Sequence, residues 1–372
     1  MARIVRIQLQ MVDLAPKVKR TDAIQSFVSQ ETPIVTITDA DGAVGMGYSY
    51  TIGTGGSSIM RLLADHLAPR LLGREAEEVE AIWTDLEFHT HATTVGAMTS
   101  IALAAVDTAL WDLRCRRAGL PLWRLAGGAK SEAPCYTTEG GWLHIPTQAL
   151  VEDAIAAKEA GFKGSKVKVG KPSAAEDAAR IGAIRDAVGP SQEIMVDANQ
   201  GFLRDAARRR ANALAEFDLG WLEEPMAADD VEGHAELARI APMPIAVGES
   251  LYSIRHFADY VARGAASVIQ VDAGRIGGIT PWLKVAHMAE CHGLAVAPHF
   301  LMELHASLVC AVRNGMWVEY IPQLDEITGQ GLTISNGMAQ APEAPGIGID
   351  WDIAEIDRRA VSEFTTHIGE GV

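Results

Sequence analysis

Ile194-Met195-Val196-Asp197, Gly220-Trp221-Leu222-Glu223 and Ile245-Ala246-Val247-Gly248-Glu249 are three short apolar runs, each ending in a carboxylate. Successive acids stand 26 residues apart. The segments between them, Asp205 to Glu216 and Val231 to Ile240, carry helical patterning. Strand, acid and helix therefore repeat in that order. Regular βα spacing makes neighbouring parallel strands, so the three carboxylates converge at one end of a sheet. Acids held that close need a cation to stay ionised, and ligands that are all oxygen suit Mg²⁺. The competing reading is that these acids cap the helices after them. Glu223-Glu224-Pro225 and Gly248-Glu249-Ser250 are not usual cap sequences, so metal ligation is preferred.

Working outward, the texture of strand and helix begins at Gly127-Gly128 and runs to Asp325. Strand-like runs at 133–137, 165–169 and the three above are followed by 267–271, 295–298 and 316–319. Helical stretches at 147–160, 173–188, 280–292 and 304–313 lie among them. Eight such runs read as a (β/α) barrel. Residues 1–126 have a different texture. Val5, Ile7, Leu9 and Met11 alternate along a first strand, and a hairpin follows around Asp41-Gly42. Helices are expected at 58–72, 76–87 and 98–117, the last ending at Gly119 before Pro121. This is an α+β unit. Residues 326–372 break the pattern and are expected to pack back against it.

The 372 residues are 48% hydrophobic, ample for a barrel with an attached domain, and carry a net charge of −16. That charge argues against nucleic acid or an anionic membrane as partner, and it would repel an anionic substrate unless local cations attract one. No apolar run approaches membrane-spanning length, and no signal-peptide pattern opens the chain. Cys115, Cys135, Cys291 and Cys310 are scattered without a CxxC pair, which fits core residues in a reducing cytoplasm. Gly53, Gly55 and Gly56 have no Lys at P-loop spacing. They are expected, with residues 17–26, to form a mobile lid. His89 and His91 read as loop residues rather than metal ligands.

Chemistry in such a barrel sits at the C-terminal ends of its strands. Those ends offer Lys166, Lys168, Asp197, Asn199, Glu223, Glu249, Asp272, His299 and Glu319. Lys166 and Lys168 share one strand face by period two, and neighbouring ammoniums depress each other's pKa. His299 faces Lys168 across the barrel mouth, and Asp272 is placed to fix its tautomer through Nδ1. A Mg²⁺ ion holding a substrate carboxylate would stabilise the dianion formed when the adjacent carbon loses its proton, with Lys168 and His299 as acid and base on opposite faces.

The sequence resembles the enolase superfamily, mandelate racemase subgroup. The matching pieces are Lys166-Val167-Lys168, Val196-Asp197-Ala198-Asn199-Gln200, Trp221-Leu222-Glu223-Glu224-Pro225, Gly248-Glu249, Asp272 with Ile276-Gly277-Gly278, Pro298-His299 and Glu319. The first domain matches in Asp107-Thr108-Ala109-Leu110-Trp111-Asp112 and Gly119-Leu120-Pro121-Leu122. The resemblance implies a modified (β/α)₇β barrel under an N-terminal α+β capping domain, to which the tail returns. It implies Asp197, Glu223 and Glu249 as Mg²⁺ ligands, Lys168 as a base, and His299 with Asp272 as the second acid/base. Lys166 and Glu319 would contact the substrate carboxylate, with Asn199 close to the metal. Cys115-Arg116, where many relatives have Gly-Lys, departs from the pattern in a helix remote from the chemistry.

Gly47-Tyr48-Ser49-Tyr50, the stretch from Tyr136 to His144, and Ala297 to Glu303 resemble the talarate/galactarate dehydratase branch of that family. The expected reaction is therefore loss of water from a sugar acid to give a 2-keto-3-deoxy acid. Racemisation or epimerisation of a 2-hydroxy acid, and cycloisomerisation of an anhydro- or lactone-type acid sugar, use the same two bases. A barrel that binds a metal and an acid without turnover needs neither Lys168 nor His299. A small carboxylic acid is the expected partner, and a homo-oligomer the expected state.

Overall fold

The computed structural model describes residues 2–368, except residues 28 and 95. Seven parallel strands lie side by side in chain order. They are Glu132–Thr137, Gly164–Lys168, Glu193–Asp197, Leu222–Glu223, Ile245–Val247, Val268–Ile269 and Ala295–Val296. An eighth, Val318–Tyr320, pairs with the first. A short bridge from Val296 to Gly315 closes the cylinder, with Met316 N donating to Val296 O. A helix follows each of the first seven strands and none follows the eighth, which gives the expected (β/α)₇β order. The fifth of these helices, Ile254–Arg263, lies where no element was predicted. No helix among the described residues is long and apolar enough to cross a membrane.

Seven buried side chains fill the barrel: Tyr136, Met195, Trp221, Ala246, Val268, Ala297 and Trp317. Tyr136 sits at the centre, edge-on to Trp221 and Trp317 with ring centroids 5.5 and 6.1 Å away. Strand periodicity places the next inward position two residues on from each member. Those positions are Thr138, Asp197, Glu223, Gly248, Gln270, His299 and Glu319. An apolar plug thus carries a polar floor directly above it.

The capping sheet has the strand order Ala360–His367, Ile4–Asp13, Glu31–Asp39, Val44–Tyr48. The first strand departs from simple alternation. Ile4, Ile7, Leu9 and Met11 are buried while Val5 is only half-buried, because the pairing with Glu31–Asp39 slips between Ile4 and Arg6. Gln10 is buried too, since tail residue Asp357 accepts from its amide at 2.8 Å. Before reaching the cap, the tail adds Met338–Gln340 antiparallel to the first barrel strand. It then passes Asp112, whose Oδ1 accepts from Ile347 N. The helical stretch near 58–72 is one run from Gly56 to Leu71 with a π turn at Leu63–Leu67. Gly56 opens it rather than sitting in a free loop, and Glu31 Oε2 accepts from its N–H at 2.8 Å.

Helix Ala97–Ala118 joins the cap to the barrel. Its alanines let strand Val44–Tyr48 come so close that a Cβ at Gly45 or Gly47 would overlap the backbone of Ala109. On the barrel side, Asp107 accepts from Thr280 N at 2.8 Å and Thr280 Oγ1 at 2.7 Å. Burial pushes the Asp107 carboxyl up to about 7, against the pull of those donors. An unfolded Asp titrates near 3.9. Between the two values the native state holds a proton that the unfolded chain has lost. The contribution is therefore fully present below pH ~4 and is lost as pH rises through about 7. Asp107→Asn copies the protonated form. Thermal unfolding of wild type should lose more stability between pH 5 and 8 than the variant does, by up to roughly 1.4 kcal/mol per pH unit. Parallel curves for the two proteins would refute this assignment.

Candidate active site

The polar floor gathers every residue read from the strand ends. Asp197, Glu223 and Glu249 each offer a carboxylate oxygen, all within 4.8 Å of one another, and all three are buried. Lys166 Nζ lies 2.8 Å from both Glu223 Oε1 and Glu319 Oε1, and 3.7 Å from Asp197. Lys168 Nζ donates to Asp197 Oδ2. His299 Nδ1 lies 2.9 Å from Asp272 Oδ2, and its Nε2 is 3.3 Å from Glu249 Oε2. With Asp272 accepting from Nδ1–H, Nε2 is the nitrogen left to exchange a proton. Asp272 is also a helix cap, since its Oδ1 accepts from Gly274 N at 2.7 Å.

The backbone is bent to bring these groups inward. Among the described residues, six that are not glycine have left-handed φ. Four of them, Asn199, Gln200, Glu224 and Phe300, follow barrel strands at the site. Such conformations cost of order 1–3 kcal/mol each and persist only where neighbours enforce them. Here Phe300 N donates to Glu319 Oε2 at 2.8 Å and Gln200 N donates to Glu224 O at 2.7 Å.

Burial and mutual charge set the electrostatics. Burial, followed by the charge of Asp197, pushes Glu223 up to about 7. Burial would lower both lysines, but Glu223 and Glu319 beside Lys166, and Asp197 beside Lys168, hold each above the usual lysine range. The expected mutual depression of the two ammoniums is therefore outweighed by the acids between them. Burial would likewise lower His299, but Glu249 and Asp272 raise it. Asp272 is held low by His299 despite its burial.

The donor set fits a hard divalent cation. Three carboxylate oxygens converge, and the buried acceptors Glu249 Oε2 and Asn199 Oδ1 have no donor from the protein. A cation would satisfy oxygens that otherwise lie unpaired in the interior. His89 and His91 are exposed, and among the described residues the three acids are the one cluster suited to a metal.

A cavity of about 330 Å³ opens over the floor, within the range of small-molecule sites. Lys168, Asn199, Glu249, His299 and Glu319 border it. Lys166 does not, because its ammonium lies beneath, between two acids. Tyr50 and Trp142 reach the site from the cap and the first barrel loop, and neither was read as a site residue. Tyr50 OH donates to Asp272 Oδ2 at 2.6 Å, and Lys168 Nζ stands 5.5 Å from the indole centre of Trp142. Thr138 Oγ1 donates to Glu319 Oε1, and Gln270 Nε2 donates to Glu223 Oε2 at 2.6 Å. Gln270 carries a legible signal, being two residues before Asp272 on the same strand line.

These features define a (β/α) barrel with a metal-binding cluster of three acids and with a lysine and a histidine on one cavity. Residues 6–127 match the model for the mandelate racemase / muconate lactonizing enzyme N-terminal domain, and residues 149–356 match the enolase C-terminal domain-like model. The chain belongs to this family, within the enolase superfamily. It is 38% identical to the L-talarate/galactarate dehydratase of Salmonella typhimurium over 315 residues, 85% of this chain and 79% of that one. It is 35% identical to the 3,6-anhydro-α-L-galactonate cycloisomerase of Streptomyces coelicolor over 359 residues, 96% of this chain and 99% of that one. A solved L-talarate dehydratase from Polaromonas sp. JS666, complexed with Mg and L-glucarate, is similar at a TM-score of 0.94 and 35% identity. That match covers 99% of this chain and 100% of the other.

Gln270 touches no cavity atom yet orients Glu223. Partners of this kind govern metal affinity by tenfold or more. Gln270→Ala should weaken Mg²⁺ binding about tenfold in calorimetric titration, with an unchanged circular dichroism spectrum. Affinity within twofold of wild type would show that Trp221, which also donates to Glu223 Oε2, suffices.

Proposed function

We propose that the chain is a Mg²⁺-dependent dehydratase of a sugar acid, an aldonate or aldarate, and yields a 2-keto-3-deoxy acid. The observation that carries this reading is the placement of Lys168 and His299 on one cavity, beside Asp197 and Glu249 respectively. The dehydratases among its relatives support it. Asp197, Glu223 and Glu249 would hold the ion. Bound Mg²⁺ would supply positive charge to the substrate carboxylate and offset the negative charge of the three acids, which otherwise outweighs burial and raises Lys168 and His299.

The chain's own residues do the rest. One of Lys168 and His299 takes the proton from the carbon next to the carboxylate, so that the C–H electron pair moves toward the carboxylate. The other gives a proton to the hydroxyl on the next carbon. That C–O bond breaks, water leaves, and the resulting enol tautomerises to the ketone. Asp272 and Tyr50 fix the imidazole, so Nε2 stays directed at the cavity. Asn199 and Glu319 contact the substrate, and Lys166 balances the floor beneath it. The cycloisomerase of Streptomyces coelicolor favours a second reading, in which the same proton is removed but a ring C–O bond opens and the product keeps the substrate's mass. The four cysteines, all free thiols, support a cytoplasmic setting.

Lys168→Met and His299→Asn should each lower turnover by at least about 10³-fold, the scale of general acid–base catalysis. Mass spectrometry of the product and α-proton exchange in D₂O are the readouts. A product one water lighter than substrate is expected, as is loss of turnover on chelation with EDTA. Turnover that survives EDTA, or either variant within tenfold of wild type, would sink the proposal.

A further inference from the structure

The side of the cavity that the cap supplies is built differently from its floor. Ile24 and Phe27, Ile52, Met98, Ile101 and Ile321 make an apolar wall there. Ile24 and Phe27 belong to the 20–27 segment of the cap, whose strands Arg20–Thr21 and Ser26–Phe27 pair with each other. Two charged residues of that segment, Arg20 and Asp22, also border the cavity. Both are buried, at 3% and 4% exposure.

Arg20 is already balanced. Its Nη2 donates to Glu139 Oε1 at 2.8 Å and to Pro322 O at 2.9 Å, and the guanidinium stands 5.9 Å from the Trp142 ring centre. Its Nε is buried with no acceptor. Among the described residues Asp22 has no ion-pair partner of its own; burial raises its carboxyl, and the nearest compensating charge is that of Lys168, which Asp197 already engages. Asp22 Oδ1 accepts from Ile24 N and Gln25 N at 2.7 and 2.8 Å. The other basic residues on the cavity, Lys168, Arg275 and His299, are engaged by Asp197, Glu249 and Asp272. A second carboxylate placed on this side would meet an apolar wall, a carboxylate without an ion pair and no uncommitted cation. Desolvated like charges strongly disfavour such a complex. A hydroxyl suits the same place, because Asp22 can accept its hydrogen.

We infer that the chain selects a monocarboxylic acid sugar with a neutral far end over a diacid, and that Asp22 is a specificity-determining residue that accepts from its hydroxyls. This rests on the acid-sugar reading above and narrows it. It also departs from the Salmonella relative, whose named substrates are six-carbon diacids.

The test uses matched pairs of sugar acids that differ only at the far carbon, such as galactonate with galactarate and gluconate with glucarate. kcat/KM for 2-keto acid formation is measured on the Mg²⁺-loaded full chain. Dissociation constants are measured by calorimetry on the Mg²⁺-loaded Lys168→Met variant, which reads recognition without turnover. The monoacid should win by tenfold or more in at least one pair. Asp22→Asn, which keeps the Oδ1 acceptor for the Ile24 and Gln25 amides, should narrow that ratio at least fivefold by admitting the diacid. Diacids preferred in every pair would overturn the inference and make Arg20 a carboxylate anchor. A ratio unmoved by Asp22→Asn would overturn the role of Asp22. If monoacids bind more tightly but no pair gives a keto acid, the dehydratase reading falls and the inference stands. If no sugar acid binds, both fall.

Discussion

Lys166 lies sealed from solvent with its ammonium shared between Glu223 and Glu319. Each ion taken out of water costs several kcal/mol, and a buried group left without its partner costs about 3–5 kcal/mol. Four carboxylates of the floor, Asp197, Glu223, Glu249 and Glu319, stand over a plug of aromatic and aliphatic side chains, and Asp197 and Glu223 are fully buried there. Lys166 is what allows two of them to face one another. The second lysine of the strand, Lys168, reaches the cavity because it stands two residues further on, at the strand end. Two residues with the same side chain thus lie at different depths, and only Lys168 borders the cavity.

The cap is held to this floor by polar contacts as well as by packing. Tyr50 reaches Asp272, Trp83 Nε1 donates to Gly277 O, and Ser100 Oγ donates to Tyr252 O. Asp107 and Asp112, five residues apart on one helix, point to different neighbours: Asp107 to Thr280 of the barrel, Asp112 to Met46 of the cap and Ile347 of the tail. A motif that reads in sequence as a family signature is physically a pair of buried acceptors, each meeting backbone N–H groups that would otherwise be unpaired. The apolar wall of the cavity comes largely from the cap, and the reacting groups come from the barrel.

The barrel was legible because its strands are short apolar runs that end in chemistry-bearing residues at even intervals. Asp197, Glu223, Glu249, His299 and Glu319 could be placed from that order alone. Helix Ile254–Arg263 was not, because Phe257, Tyr260 and Val261 make a single short stripe among charged residues. Its cap signals, Ser253 accepting from His256 N and Gly264 in the left-handed region, were nevertheless present. Tyr50 and Asp22 were unreadable for another reason: their meaning lies in contacts with residues far along the chain or across a cavity, which no local period encodes. The slip near Val5 is similar, since a change of register is decided by the partner strand. Lys166 and Lys168 were placed correctly on one face, but their charge state depends on acids from three other strands.

Strand Ala360–His367 lies against Ile4–Asp13, so one sheet of the cap is made from opposite ends of the polypeptide. The barrel is, in topological terms, an insertion within that sheet. No single cut in the backbone can separate the two units, and each half of such a cut would carry a sheet edge with unpaired backbone groups. During synthesis the edge of Ile4–Asp13 that Ala360–His367 covers waits unpaired until the whole barrel has been made.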